Sequence, residues 1–248
     1  MENINFDRIL AAGTELNSSG STGPAHTVVQ TPYKLAAANR VAREAQGIDE
    51  SSRVLTCCRM SHAGGLLAQT LPAVEIGAEV DIVPFNAYEW VRHIQDGYTH
   101  THLTPLHCEA IMLTKGFQEL DLSGLWVTIG ADPVHWEVIE AFVARGATVM
   151  VNWGMTEVGP IAINGVFSDL SQVAEVRAAA PEGTTYLGDR AWVDVKIRDR
   201  VLWVRGDISV HGDTWFRTGD VVSRDDEGRF WYHGREGHPV TAWQNRKG

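Results

Sequence analysis

The chain has 248 residues, enough for one large domain or two small ones around a sizeable core. Its 44% hydrophobic and 21% charged residues are ordinary for a soluble globular protein. A net charge of −10 and a pI near 5.4 exclude a broad surface for nucleic acid, while leaving room for a local basic pocket that holds one nucleotide.

No apolar run approaches the length of a membrane span, and Met1-Glu2-Asn3-Ile4-Asn5 lacks the character of a secretion signal. Cys57, Cys58 and Cys108 are odd in number and form no CxxC. They read as reduced thiols, which points to a cytoplasmic protein.

In chain order, Ser18-Ser19-Gly20-Ser21-Thr22-Gly23 comes first and resists both helix and strand. Gly20 and Gly23 allow positive φ and a close backbone approach to a ligand. The N–H groups and hydroxyls of such a loop can surround phosphate oxygens; the alternative is a polar surface loop. Thr31-Pro32 predicts a helix start, residues 33–46 carry apolar side chains at helical spacing, and Gly47 predicts the stop. Strands are predicted over 53–57, 79–83, 100–103, 125–129 and 148–151, and helices over 64–76, 88–95, 106–113 and 134–144. This alternation predicts βαβ units and a mostly parallel sheet. The pattern changes after about Gly165: a helix is predicted over 168–180, then short strands over 192–197, 201–205 and 229–233, with Asp199-Arg200 as a hairpin turn. The fold class is therefore α/β, a mostly parallel sheet with flanking helices followed by a small β-rich C-terminal region. The expected division is a nucleotide-binding core over 1–165 and a β-rich region over 166–248.

Three further segments suit a nucleotide. Asn152-Trp153-Gly154-Met155-Thr156-Glu157 follows a predicted strand, where open α/β sheets place their ligands. Trp153 can stack on a base, Thr156 can bond a phosphate, and Glu157 can hold Mg²⁺; a core Trp and a surface Glu are the alternatives. Trp215-Phe216-Arg217-Thr218-Gly219-Asp220 supplies a carboxylate that can accept both ribose hydroxyls. Gly228 to Arg235 supplies Arg235, whose alternative is a surface ion pair. Gly130-Ala131-Asp132-Pro133 ends another strand and is either a ligand turn or an ordinary turn capped by Asp132. The group His100, His102 and His107 has no metal-binding spacing, and strand alternation accounts for the first two.

These four collinear segments, from Asn17 to Arg235, resemble the adenylate-forming superfamily of acyl-CoA synthetases, luciferases and adenylation domains. The resemblance implies an ATP-dependent, carboxylate-activating ligase that forms an acyl-adenylate with Mg²⁺ and uses CoA or another acceptor. It implies phosphate binding by Ser18, Ser19, Gly20, Ser21, Thr22 and Gly23, and adenine packing between Trp153 and the turn Gly130, Ala131 and Asp132, with Asn152 and Gly154 beside it. Thr156 would bond phosphate, Glu157 would bind the metal, Asp220 and Arg235 would hold the ribose, and His62 would sit beside the acyl pocket. The substrate would be a small carboxylic acid. One departure stands out: the family's loop lysine is replaced by His26.

The family also has an N-terminal portion before the phosphate loop and a mobile C-terminal domain bearing a catalytic lysine; neither falls within these residues. The expectation is a shortened ligase with impaired or partner-dependent activity. The alternatives are a non-catalytic AMP/ATP-binding module, or half of an enzyme completed by a homo-oligomer or a complementing chain.

Overall fold

The computed structural model describes residues 4–18 and 26–239. Helix α1 (Phe6–Ala12) is capped by the Asn5 side chain, which accepts the Arg8 N–H at 2.9 Å. Strands β1 (Thr14–Asn17) and β2 (Thr27–Gln30) pair antiparallel, with Asn17 opposite Thr27. The Ser/Gly loop thus joins the ends of a β-ribbon; residues 19–25 of it lie outside the described residues.

Helix α2 (Pro32–Gln46) begins and ends where its caps dictate. The Thr31 side chain accepts the Lys34 N–H, Pro32 fills the first turn, and Gly47 closes the helix at φ +67°. Strand β3 (Arg53–Thr56) leads into a helical run that the sequence pattern reads as one helix. It is instead α3 (Ala63–Gly65), a π-helical turn (Leu66–Thr70) and α4 (Leu71–Glu75). The reason is Pro72, which has no N–H to offer the Ala68 carbonyl one turn back. The Gln46 amide donates to that carbonyl instead, at 2.7 Å.

The α/β alternation continues through β4 (Glu79–Ile82), α5 (Ala87–His93), β5 (His100–Leu103), α6 (Pro105–Met112), β6 (Trp126–Ile129), α7 (Trp136–Val143) and β7 (Thr148–Met155). Strand β7 runs four residues past its predicted end and turns back into β8 (Gly159–Phe167), an antiparallel neighbour the sequence pattern missed. All but one residue of β8 is buried, so it shows no alternation to read. Helix α8 (Leu170–Ala179) follows, then β9 (Thr185–Gly188), β10 (Arg190–Ala191), β11 (Asp194–Arg198), β12 (Val201–Arg205), β13 (Phe216–Arg224), β14 (Phe230–Arg235) and β15 (His238–Pro239).

Among the described residues there is a seven-stranded sheet ordered β10-β8-β7-β6-β5-β3-β4, parallel from β4 through β7 and antiparallel at β8 and β10. A second, antiparallel sheet holds β11 to β15 in chain order, with β9 on β14. The β11–β12 hairpin turns at Asp199 and Arg200, both left-handed at φ +52° and +65°, as a tight hairpin demands. One core cluster packs α5, α6 and α7 on the large sheet and extends through Phe167 and Tyr186 to Trp231 of the second sheet. A second packs α2 and β8 against Leu202, Val204 and Phe230, and two smaller ones lie around Leu67 and Val54. Both sheets therefore share their hydrophobic interior. Among the described residues no helix is long and apolar enough to cross a membrane.

Candidate functional site

Three of the sequence-predicted segments follow the carboxyl ends of parallel strands of the large sheet, the edge at which open α/β sheets bind ligands. His62 follows β3, Gly130 to Asp132 follow β6, and Asn152 to Glu157 form the end of β7 and its turn into β8.

The backbone at this edge is tightly made. Asn152 Nδ2 donates to the Pro160 carbonyl at 2.6 Å, while Asn152 Oδ1 is buried with no partner among the described residues. A Cβ on Gly130 would lie 2.4 Å from that Oδ1, so any other residue there must displace the Asn152 side chain. Ala131 then takes a left-handed φ of +78°. Asp132 is exposed and does not cap α7, whose cap residue is His135. Gly154 presses on β8, where a Cβ would stand 2.2 Å from the Gly159 carbonyl oxygen.

Trp153 is only 8% exposed, and its indole N–H donates to Asp220 Oδ2 at 2.8 Å. Asp220 Oδ1 meets Arg235 Nε at 3.0 Å, and Asp220 and Arg235 are register partners on β13 and β14. Arg235 also donates to the Thr218 carbonyl at 2.7 Å, and the Thr218 hydroxyl accepts the Asp220 N–H at 3.0 Å. Gly219, between them, holds φ +78°. Burial pushes the Asp220 carboxyl up, and Arg235 and the Trp153 N–H pull it back. Each carboxylate oxygen keeps a further lone pair for a hydroxyl donor. The three residues proposed for adenine and ribose are thus drawn together from positions up to 82 residues apart in sequence, the separation of Trp153 and Arg235.

At the next turn, Glu157 is 8% exposed and its Oε1 meets His26 Nε2 at 2.9 Å. His26 Nδ1 lies 3.0 Å from the Ser18 hydroxyl, which also accepts the His26 N–H at 3.1 Å. The Glu157 carbonyl accepts the Val210 N–H at 2.8 Å, which ties the turn to the segment before β13. Ser18 and Glu157, predicted for phosphate and metal, are therefore joined through His26; Ser19, Gly20, Ser21, Thr22 and Gly23, also predicted for phosphate, lie outside the described residues. The Glu157 carboxylate and Thr156 hydroxyl are hard oxygen donors of the kind Mg²⁺ takes beside nucleotide phosphates.

His62 is exposed at the start of α3 and makes no side-chain cap bond. Among the described residues no hydrogen bond or ion pair joins it to Trp153 or Glu157. The other histidines have local roles. His100 Nε2 lies 3.0 Å from the Gln46 carbonyl. His102 is buried beneath Gly64, and burial lowers its pKa to about 4. His107 joins Thr104 in the capping box of α6 and stacks on Phe85 with ring centroids 3.9 Å apart. Burial pushes the Cys57 and Cys58 thiols up to about 12, far from thiolate reactivity.

Sequence reasoning missed Gln30 and Lys34. Gln30 Nε2 donates to the Thr156 carbonyl at 2.9 Å, and Lys34 Nζ donates to Gln30 Oε1. Lys34 is 2% exposed; burial lowers its pKa to about 7, and the Glu157 charge partly restores it. A signal was present: Lys34 falls on the apolar stripe with Ala38, Val41 and Ala45 of α2.

A model of the family described as AMP-binding enzyme matches residues 16–218. An indoleacetate–CoA ligase of Aromatoleum aromaticum is 30% identical over 250 residues, covering 91% of this chain and 48% of that protein. The chain thus spans about half the length of the curated relatives it matches. An ATP-bound MatB from Rhodopseudomonas palustris superposes with a TM-score of 0.75 at 15% identity, over 90% of this chain and 48% of that one. MenE from Bacillus subtilis, in complex with ATP and magnesium ion, gives 0.73 at 21% identity, over 92% and 50%. With the family model matching residues 16–218, most of the chain, this protein belongs to the AMP-binding enzymes of the adenylate-forming superfamily.

Proposed function

We propose that this chain is the nucleotide-binding core of an ATP-dependent acid–CoA ligase, which joins a small carboxylic acid to AMP and then passes the acyl group to CoA. The observation that carries the reading is the convergence of Trp153, Asp220 and Arg235 on one side and Ser18, His26 and Glu157 on the other. The acid–CoA ligases among the relatives support it.

In this reading Asp220 and Arg235 hold the ribose, and Trp153 and the Gly130-Ala131-Asp132 turn flank the adenine. Asn152 and Gly154 shape the backbone behind it. The Ser18 to Gly23 loop and Thr156 hold phosphate, and Glu157 holds Mg²⁺, which neutralises phosphate charge. His62 lies toward the acid. A carboxylate oxygen attacks the α-phosphorus and the bond to the β-phosphoryl oxygen breaks, releasing pyrophosphate; the protein contributes positioning and fixed charge. Residues 1–165 form the core and 166–248 the β-rich region. The three free cysteines support a cytoplasmic setting. His26, in place of a fixed cation, favours weak phosphate binding and keeps a non-catalytic AMP/ATP-binding module as the second reading. Exposed Tyr88 on α5 and Leu106 on the adjoining α6 favour completion by a second copy or another chain.

The test is pyrophosphate release from ATP and Mg²⁺ across a panel of aromatic and aliphatic carboxylic acids, with solution mass measured alongside. Acid-dependent release supports the ligase. Nucleotide binding without release from either the monomer or a larger assembly supports the binding module.

A further inference from the structure

Gln30 and Lys34 form a device that no assigned role uses. Gln30 ends β2, the strand that leaves the Ser/Gly loop, and is fully buried. The Thr31 cap and Pro32 start α2 at once, which brings the side chains at 30 and 34 together. The Thr156 carbonyl only accepts, so the Gln30 amide N–H must face it, and Lys34, a donor whether protonated or neutral, is left with the Gln30 oxygen. The two bonds together fit one amide orientation only. The other end of β2 is tied to the same turn, because His26 precedes Thr27 and meets Glu157 Oε1. Thus side chains at both ends of β2 grip the turn, Gln30 at the Thr156 carbonyl and His26 at the Glu157 carboxylate. A buried ammonium is costly, and packing alone would be met by an apolar side chain of the same length.

We propose that Lys34 is a positioning residue: through Gln30 it holds the Thr156–Glu157 turn in register with β2 and His26, so that the turn meets the phosphate end of a bound nucleotide in place. The proposal rests on the adenylating reading for its ligand, but its mechanical content does not. Lys34 touches no nucleotide atom and acts through Gln30. Its influence therefore falls on Mg·ATP, whose phosphates and metal need the Thr156–Glu157 turn in place, and not on AMP, which Asp220 and Arg235 hold from the second sheet.

Lys34→Met, Gln30→Leu and Gln30→Glu test it. Gln30→Glu keeps an acceptor for Lys34 and removes the donor to Thr156. Hydrogen exchange of the ligand-free protein is read over residues 153–160, with residues 100–103 of β5 as the control for intact fold. All three variants are expected to exchange roughly tenfold faster at 153–160, as loss of one net hydrogen bond implies, with the control unchanged. Unchanged exchange at 153–160 overturns the proposal whether or not any nucleotide binds. Should Gln30→Leu fail to fold, Lys34→Met, near in volume, carries the test. Titration then follows with Mg·ATP and with AMP. A dissociation constant raised about tenfold for Mg·ATP with AMP unchanged supports the positioning role. Equal weakening of both marks a merely structural role and overturns it. A wild-type protein that binds neither nucleotide overturns the adenylating reading instead, and hydrogen exchange alone then decides for or against the clasp.

Discussion

Replacing Lys34 with methionine should change how stability depends on pH. Lys34 sits 2% exposed with one neutral hydrogen-bond partner, and burial lowers its pKa from 10.5 to about 7. Between those values the unfolded chain carries a proton that the folded chain has released, so stability rises with pH across this window. Below pH 7 both states are protonated, and the cost of burying the charge is fully expressed. Each pH unit of a one-proton difference changes stability by about 1.4 kcal/mol, so the wild type should gain roughly 2 kcal/mol between pH 7 and 9. The thioether side chain introduced by Lys34→Met would titrate nowhere and would fill nearly the same space. Cys57 and Cys58, held up near 12, work in the opposite sense above pH 9 but are common to both proteins. Urea unfolding of both proteins at pH 6, 7, 8 and 9 gives the comparison. The variant should be the more stable at pH 6, and its advantage should shrink by about 2 kcal/mol from pH 7 to 9. An advantage that stays constant over that range refutes the burial of a charged Lys34.

Other consequences follow from single contacts. Glu157→Ala should remove the Mg²⁺ dependence of ATP binding and leave AMP affinity within about twofold, read by titration with and without EDTA; intact Mg²⁺ dependence assigns the metal elsewhere. Gly130→Ala drives a Cβ to 2.4 Å from Asn152 Oδ1, while Nδ2 of the same side chain is tied to Pro160. It should cost about 1–3 kcal/mol in denaturant unfolding; a neutral change would mean that Asn152 moves freely. Arg200→Gly should stabilise the protein by about 0.5–1 kcal/mol, because Arg200 is left-handed at φ +65° in the β11–β12 turn. A fall in melting temperature would point instead to its Nη2 contact with His233.

The sequence disclosed most where local chemistry decides. Thr31, Pro32 and Gly47 mark both ends of α2, and the alternation of apolar runs marks the parallel strands. It disclosed least where partners are distant. Strands β1 and β2 are four residues each and stabilised by one another across the Ser/Gly loop. Strand β8 is buried almost throughout, so no alternation distinguishes it. The π turn arises from Pro72 together with the Gln46 amide, which comes from another helix. The site shows the same division. The four segments are visible by composition and order, but the pairing of Trp153 with Asp220 joins residues 67 apart and is a property of the folded sheets. The clasp by Gln30 on Thr156 spans 126 residues and leaves only one local trace, a lysine on an apolar stripe.

The central claim is a nucleotide site at the carboxyl edge of the large sheet. Calorimetric titration with ATP and with AMP in the presence of Mg²⁺, on the wild type and on Asp220→Ala, tests it most directly. Losing hydrogen bonds to this charged group should weaken both nucleotides by about 1.5–3 kcal/mol, roughly ten- to a hundredfold. Nucleotide affinities that are unchanged in Asp220→Ala, or no binding by the wild type, would contradict it.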